Sequence, residues 1–171
     1  MRTGKSDYKI IRVRPTLTED SAYTAGDVIF NTTEIPNAVI GNGGCSKLLA
    51  CFVIDENEQA DDFELHFMQV NTAFATAGMH NTADITDDNL EAAKILGVAL
   101  VDISEGVTTE LDNARIIRAQ LTNQVGGGES STPFLIQAED NSTSVYFTAI
   151  HKGTPTYDDT DSLEFIFHIE R

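Results

Sequence analysis

Cysteine and histidine are the most reactive side chains of this sequence, but their spacing forms no recognisable site. Cys45 and Cys51 lie on one predicted strand, where extended chain separates their Cα atoms by roughly 20 Å. A disulfide requires Cα atoms within about 7 Å, so no intrachain disulfide is expected. Neither residue belongs to a Cys-x-x-Cys pair or another zinc-binding spacing. Both are therefore predicted to be half-buried free thiols.

The sequence contains no recognisable catalytic motif. It has no Gly-x-Ser-x-Gly motif, and its four histidines lie in unremarkable contexts. Its 27 Asp and Glu residues are too numerous for one pair to be singled out as acid and base. We predict that the protein is not an enzyme, with no catalytic residue and no cofactor.

Three segments resemble ligand-binding loops only in part. The glycines at residues 126–128 lack the Lys-Ser/Thr of a phosphate loop and predict an exposed, dispensable connection between strands. Residues 55–59 begin like a calcium loop, but Ala60 replaces the required glycine and no glutamate occupies the twelfth position. The third segment, interpreted as a solvated acidic turn, contains Asp158, Asp159 and Asp161.

Two Glu/His pairs raise the possibility of a metal site. Glu64 and His66 share one face of a predicted strand, and Glu164 and His168 share one face of the last strand. If these two strands were neighbours, the four side chains would meet. Half-exposed strands carry Glu and His at alternating positions in any case, so no metal site is predicted.

The net charge of −16 disfavours nucleic acid as a partner, because phosphates would be repelled. The charge is uneven: residues 1–14 hold five basic residues and one acid, or +4, which leaves −20 on the remainder. We predict a basic N-terminal arm at residues 1–22 that docks on an acidic partner and a body at residues 23–171. The alternative is that residues 8–13 are an integral strand whose charges face water. The predicted partner-binding residues are Arg2, Lys5, Tyr8, Lys9, Ile11, Arg12, Val13 and Arg14.

Length and hydropathy favour one soluble domain. A chain of 171 residues with 41% apolar residues is long enough for one core. No apolar run approaches the roughly 18–20 residues of a membrane helix, so no membrane partner is expected. Residues 1–13 contain neither a secretory apolar region nor a cleavage site, so synthesis and folding are expected in the cytosol.

Short alternating segments predict a mainly β fold, a single-domain β-sandwich or jelly-roll with one short helix. Residues 45–55 are apolar on both alternating faces, which indicates an inner strand, and a hairpin with residues 63–68 is expected. The helix is predicted to begin after Thr86 or Asp87 as N-cap, to include Leu96 and to end at Gly97. The remaining predicted strands are 8–14, 27–30, 35–40, 98–103, 114–121, 134–138, 145–151 and 163–169.

Turn-and-strand motifs near both ends of the body carry a resemblance. YTAGDVI at residues 23–29 and GNGG at residues 41–44, followed by a long strand, open the segment. YFTA at residues 146–149, GTPTY at residues 153–157 and DSL at residues 161–163 close it. From about Tyr23 to the C-terminus, the chain resembles β-sandwich virion proteins of tailed bacteriophages, and head decoration (cement) proteins match best.

This resemblance implies a capsid decoration protein that binds the outer surface of the head shell and stabilises it. The implied partner is the major capsid protein, and a homo-oligomer is expected, with a trimer favoured. The implied location is the capsid surface of the virion, after synthesis in the host cytoplasm. The alternatives are a tail or head-fibre component that contacts the host surface, and a carbohydrate-binding or metal-dependent β-sandwich protein.

Overall fold

The protein is a two-sheet β-sandwich, which confirms the predicted mainly β class. The computed structural model describes residues 7–59, 61–104, 108–121 and 133–171. The elements in chain order are β1 (Tyr8–Val13), β2 (Val28–Ile35), β3 (Cys45–Asp55), β4 (Phe63–Met68), α1 (Asp87–Ala93), β5 (Ile95–Val101), β6 (Thr108–Glu110), β7 (Arg115–Arg118), β8 (Phe134–Gln137), β9 (Val145–His151) and β10 (Leu163–Glu170). Among the described residues, no helix is long and apolar enough to cross a membrane.

Strand pairing is antiparallel in both sheets. The first sheet has the order β1-β10-β3-β7-β6, and β8 also pairs with β3, beside the end that β7 leaves unpaired. The second sheet has the order β2-β9-β4-β5. The inward side chains of both sheets form one apolar core between them.

Phenylalanine rings fill the centre of that core. Phe147 of β9 packs against Phe165 and Phe167 of β10, with ring centroids 5.1 and 5.0 Å apart. Phe30 of β2 also packs on Phe147, at 5.1 Å. The two contacts of Phe147 with β10 join opposite sheets, whereas Phe30 and Phe147 lie on neighbouring strands of the second sheet. Each edge-to-face contact is worth roughly 0.5–1.5 kcal/mol beyond the burial of apolar area.

A β-bulge in β3 changes one sequence-based expectation. Ala50 pairs with His168 and Leu48 pairs with Ile169, so Leu49 is an extra residue on β3. A bulge shifts the alternation by one, so Leu48 before it and Cys51 after it both point into the core. The inner-strand prediction is correct, but only one face of β3 is fully buried.

The predicted hairpin between residues 45–55 and 63–68 is wrong. β3 belongs to the first sheet and β4 to the second, so the intervening segment crosses from one sheet to the other. Alternation identifies a strand but does not identify its partner. The segments predicted as strands at 27–30 and 35–40 differ as well, because β2 is one continuous strand over Val28–Ile35.

The helix begins as predicted and ends earlier. Thr86 is the N-cap, and its Oγ1 accepts a hydrogen bond from the backbone N–H of Asn89 at 3.3 Å. The C-cap is Lys94, in the left-handed conformation with φ 51°. Ile95 already pairs with Met68 of β4, so sheet pairing takes Leu96 out of the predicted helix.

A segment of the chain covers the outer side of the second sheet. Val28 and Met68 project outward and pack against Phe74, Ala75 and Ala93 in a second, smaller core. Phe74 and Ala75 belong to the connection between β4 and α1, and Ala93 ends α1. We call this outer side of the second sheet, with residues 69–94 on it, the covered face.

Candidate interaction surface

β1 is an edge strand of the first sheet. Its six residues pair with β10 from Tyr8↔Glu170 to Val13↔Phe165. Ile11 points into the core with 6% exposure. The predicted division between an arm at residues 1–22 and the body is therefore corrected, because residues 8–13 are an integral strand, as in the alternative considered from the sequence.

The stretch between β1 and β2, predicted to belong to the arm, is also anchored to the body. Leu17 is buried, and its backbone N–H donates to the carbonyl of Thr160 at 2.8 Å. The N–H of Asp20 donates to the carbonyl of Tyr157 at 2.8 Å. Tyr23 is buried and its hydroxyl donates to the carbonyl of Ile29 at 2.9 Å. These bonds tie residues 15–23 to the body.

The basic side chains of β1 and its flank form ion pairs within the molecule. Arg12 lies 3.0 Å from Glu164, and Arg14 lies 2.6 Å from Glu56. The hydrogen bond to Glu56 raises the pKa of the Arg14 guanidinium. Exposed pairs of this kind contribute roughly 0–1 kcal/mol. They leave less positive charge for a partner than the sequence predicted.

The other predicted docking residues divide into three groups. Lys9 donates to the carbonyl of Asn37 at 3.4 Å, and Val13 packs against the main core. Tyr8 is exposed, with its neighbour Ile10. Arg2 and Lys5 lie outside the described residues.

The outer side of the first sheet, which we call the open face, carries apolar side chains that no other segment of the described chain is seen to form a core with. Cross-strand pairing aligns Ile10 with His168 and Ala50 in one row, and Arg12 with Ile166, Phe52 and Arg118 in the next. The sequence did not reveal this surface, because apolar alternation on β3 had indicated burial of both faces. Its exposed apolar side chains are Ile10, Leu49 and Leu135. Phe52, Ile54 and Ile116 are half-buried, and Ile166 is buried at the centre of the row.

Charges border the open face. Arg12 pairs with Glu164, and Lys47 lies 3.3 Å from Glu170. Arg118 is exposed at the end of β7, and no described residue forms an ion pair with it. The other basic side chains of the open face are paired with acids, and Arg118 adds one unpaired positive charge. This face is therefore less acidic than the chain as a whole, whose net charge is −16.

The two Glu/His pairs lie on opposite sides of the sandwich. Glu64 and His66 are on β4 of the second sheet, whereas Glu164 and His168 are on β10 of the first. The arrangement considered from the sequence, in which these strands were neighbours, is thus wrong. Lys152 lies 2.6 Å from Glu64, and its hydrogen bond lowers the pKa of that carboxyl.

The two acidic segments also differ from a cation site. Asp55 is buried, burial raises the pKa of its carboxyl to about 6, and the backbone N–H of Asn57 donates to it at 3.0 Å. Asp158 is exposed and accepts a hydrogen bond from the Asn57 side chain at 3.2 Å. Across the described ranges, no group of three or more His, Cys, Asp or Glu side chains is arranged to hold a metal.

Tyr157 and His151 form a buried polar pair close to Asp55. The Tyr157 hydroxyl lies 3.2 Å from His151 Nε2, and both residues are buried. Burial lowers the pKa of His151 to about 4 and raises that of Tyr157. The imidazole is neutral at physiological pH and packs on Tyr23 and Phe63. This pair belongs to the packing of the interior.

The two cysteines are free, but they are not equally half-buried. Cys45 is exposed and Cys51 is buried. Burial also raises the pKa of the Cys51 thiol. The glycine-rich loop at residues 126–128 lies outside the described residues. β6 was not predicted, because its Thr-Thr-Glu sequence shows no apolar alternation.

Comparison of the chain with protein-family models, with curated proteins and with solved structures finds no match. The interpretation of its function therefore depends on its own residues and their geometry.

Proposed function

We propose that this protein is a decoration (cement) protein of a tailed-bacteriophage head, bound to the outer surface of the shell. The observation that carries the proposal is the position of β1. It lies at the edge of the first sheet, directly after the basic residues Arg2 and Lys5, with Tyr8 and Ile10 exposed. An edge strand offers backbone groups for pairing with an extended segment of another protein.

The mechanism is adhesion to the assembled shell. A strand of the major capsid protein adds to the edge of β1, while Arg2 and Lys5 steer the approach to an acidic surface. The acidic remainder of the body faces solvent. A protein that binds the assembled shell more tightly than its free subunits stabilises assembly by mass action.

The test uses heads of the encoding phage that lack this protein. Purified full-length protein is added, the heads are sedimented, and its ratio to the major shell protein is measured. We expect hundreds of copies per head and a higher temperature of shell disruption. A few copies per particle would favour the tail or head-fibre alternative. Absence of binding, together with glycan or metal binding by the free protein, would favour the third alternative.

Matched variants test the role of the N-terminal charges. The double variant Arg2→Ala/Lys5→Ala should bind heads more weakly, and its binding should depend less on salt, because long-range steering is screened by ions. Lys152→Ala is the control, since Lys152 is exposed and lies 2.6 Å from Glu64 of the second sheet, away from β1. Equal binding by the two variants would remove the N-terminal charges from the mechanism.

A further inference from the structure

Two exposed apolar patches lie on opposite sides of the sandwich. The first is on the open face, where Leu135 is 51% exposed and Leu49 is also exposed. The second, which we call the helix patch, lies where α1 meets β5 on the covered face. Its exposed apolar residues are Leu90, 43% exposed, and Ile95, at the rim of a depression that reaches Val98 of β5.

The two patches carry opposite charges. Asp87 and Glu91 line the depression of the helix patch, and Asp88 lies beside them on α1. His66 and Lys94 line it too, but Lys94 is paired with Glu139 at 2.9 Å, so the acids of α1 are in excess. No described residue forms an ion pair with any of these three acids. On the open face, Arg118 is the charge that no described acid pairs with. Burying an acidic apolar patch against a basic apolar one brings opposite charges together as apolar area leaves water.

A symmetric contact between two open faces fits less well. It would bring the unpaired Arg118 of both copies into one interface without an acid to pair with, and like charges oppose association. A symmetric contact between two helix patches would bring the unpaired acids of α1 together. Contact between unlike patches brings the unpaired acids of α1 towards the unpaired Arg118 and buries the apolar residues of both patches.

We propose that the open face of one copy docks on the helix patch of a second copy. Because the two patches are on opposite sides of the molecule, the contact is head-to-tail. Such contacts close into a ring or extend into a filament, according to the rotation between copies. The contact requires no shell protein, so it can be tested independently of the decoration role.

The first experiment measures molar mass by light scattering across a dilution series of the full chain. The protomer mass is 18.6 kDa, and we expect the mass to rise above it with concentration and to fall with added salt. Leu135→Glu on the open face and Leu90→Glu on the helix patch should each weaken association at least about tenfold. Ile40→Glu is the control, since Ile40 is 58% exposed outside both patches and its substitution should change nothing.

Mixing the two defective variants distinguishes head-to-tail contact from the symmetric alternatives. Each variant keeps one intact patch, so an equimolar mixture should form a heterodimer of twice the protomer mass and nothing larger. A monomeric wild-type protein would overturn the proposal. So would association that only one of the two substitutions weakens, or a mixture that stays monomeric.

Circular dichroism and cooperative thermal unfolding establish that each variant is folded before its mass is interpreted. Leu49→Asp replaces Leu135→Glu if the latter unfolds, because Leu49 is an exposed bulge residue on the same face. A folded Leu49→Asp variant that associates like the wild type would contradict the role of the open face.

Discussion

The two outer faces of the sandwich share apolar outward-pointing residues and differ in what lies on them. On the covered face, Val28 and Met68 are buried under Phe74 and Ala93 of the same chain. On the open face, Ile10 and Leu135 remain exposed. Exposed apolar side chains on one face are typical of surfaces that contact a partner. An apolar side chain that points outward from a strand can therefore be buried by another segment of the same chain, or it can remain exposed and available to a second molecule.

The same comparison separates stability from binding. Residues of the covered face contribute to the free energy of unfolding, because their side chains leave water when the chain folds. Exposed residues of the open face change little on folding, so their substitution should affect association instead. The following experiments test that distinction, beginning with the largest expected effect.

Phe74→Ala should lower the free energy of unfolding by about 3–5 kcal/mol, because it removes a buried ring and leaves a cavity over the second sheet. The measurement is urea denaturation followed by circular dichroism. Leu135→Ala on the open face is the control and should change the value by less than about 0.5 kcal/mol. Similar losses in both variants would show that the two faces do not differ in this way.

Neighbouring isoleucines of β1 provide a matched pair. Ile11→Ala should cost about 2–4 kcal/mol, since its side chain is buried in the core, whereas Ile10→Ala should cost less than about 1 kcal/mol. Ile10 is 60% exposed on the open face. If both substitutions proved nearly neutral in urea denaturation, β1 would behave as a detachable arm and not as an integral strand.

Asp55 lies between the sheets and tests the interior apart from both faces. Its pKa of about 6 exceeds the reference value of 3.8, so its contribution to stability is complete below the reference value and is lost as the pH rises through 6. Asp55→Asn should therefore raise the free energy of unfolding at roughly pH 8, by on the order of 2 kcal/mol, and have little effect near pH 4.

The measurement for Asp55 compares variant and wild type at the same pH. His151 contributes with the opposite sign: burial lowers its pKa from 6.5 to about 4, so its stabilising contribution is lost as the pH falls between these values. His151 makes the same contribution to the free energy of unfolding in the variant and in the wild type at each pH, so it cancels when the two values are subtracted. An equal effect of Asp55→Asn at both pH values would contradict the raised pKa.

The smallest expected effect concerns the thiols. Cys45 is exposed and should react with a thiol reagent in the native protein, whereas Cys51 is buried with a raised pKa and should react only after unfolding. Spectrophotometric counting should give one fast thiol in buffer and two in denaturant. Rapid reaction of both in buffer would show that the interior of the first sheet opens readily.

Local patterns in the sequence determined much of the secondary structure. Val145–His151 forms a strand with the predicted bounds, and Thr86 caps the helix as predicted, because alternation and side-chain capping act between near neighbours. The charge difference between residues 1–14 and the remainder also follows from the sequence alone.

Only the tertiary structure decided which strands are partners and which apolar positions are covered. β3 and β4 alternate clearly but belong to opposite sheets, since pairing depends on contacts distant in sequence. Leu49 lies exposed within an apolar run because a bulge shifts the alternation of β3. No local sequence motif predicts this bulge. The candidate surface thus depends on how the strands assemble, and the sequence alone does not specify which face the rest of the chain covers.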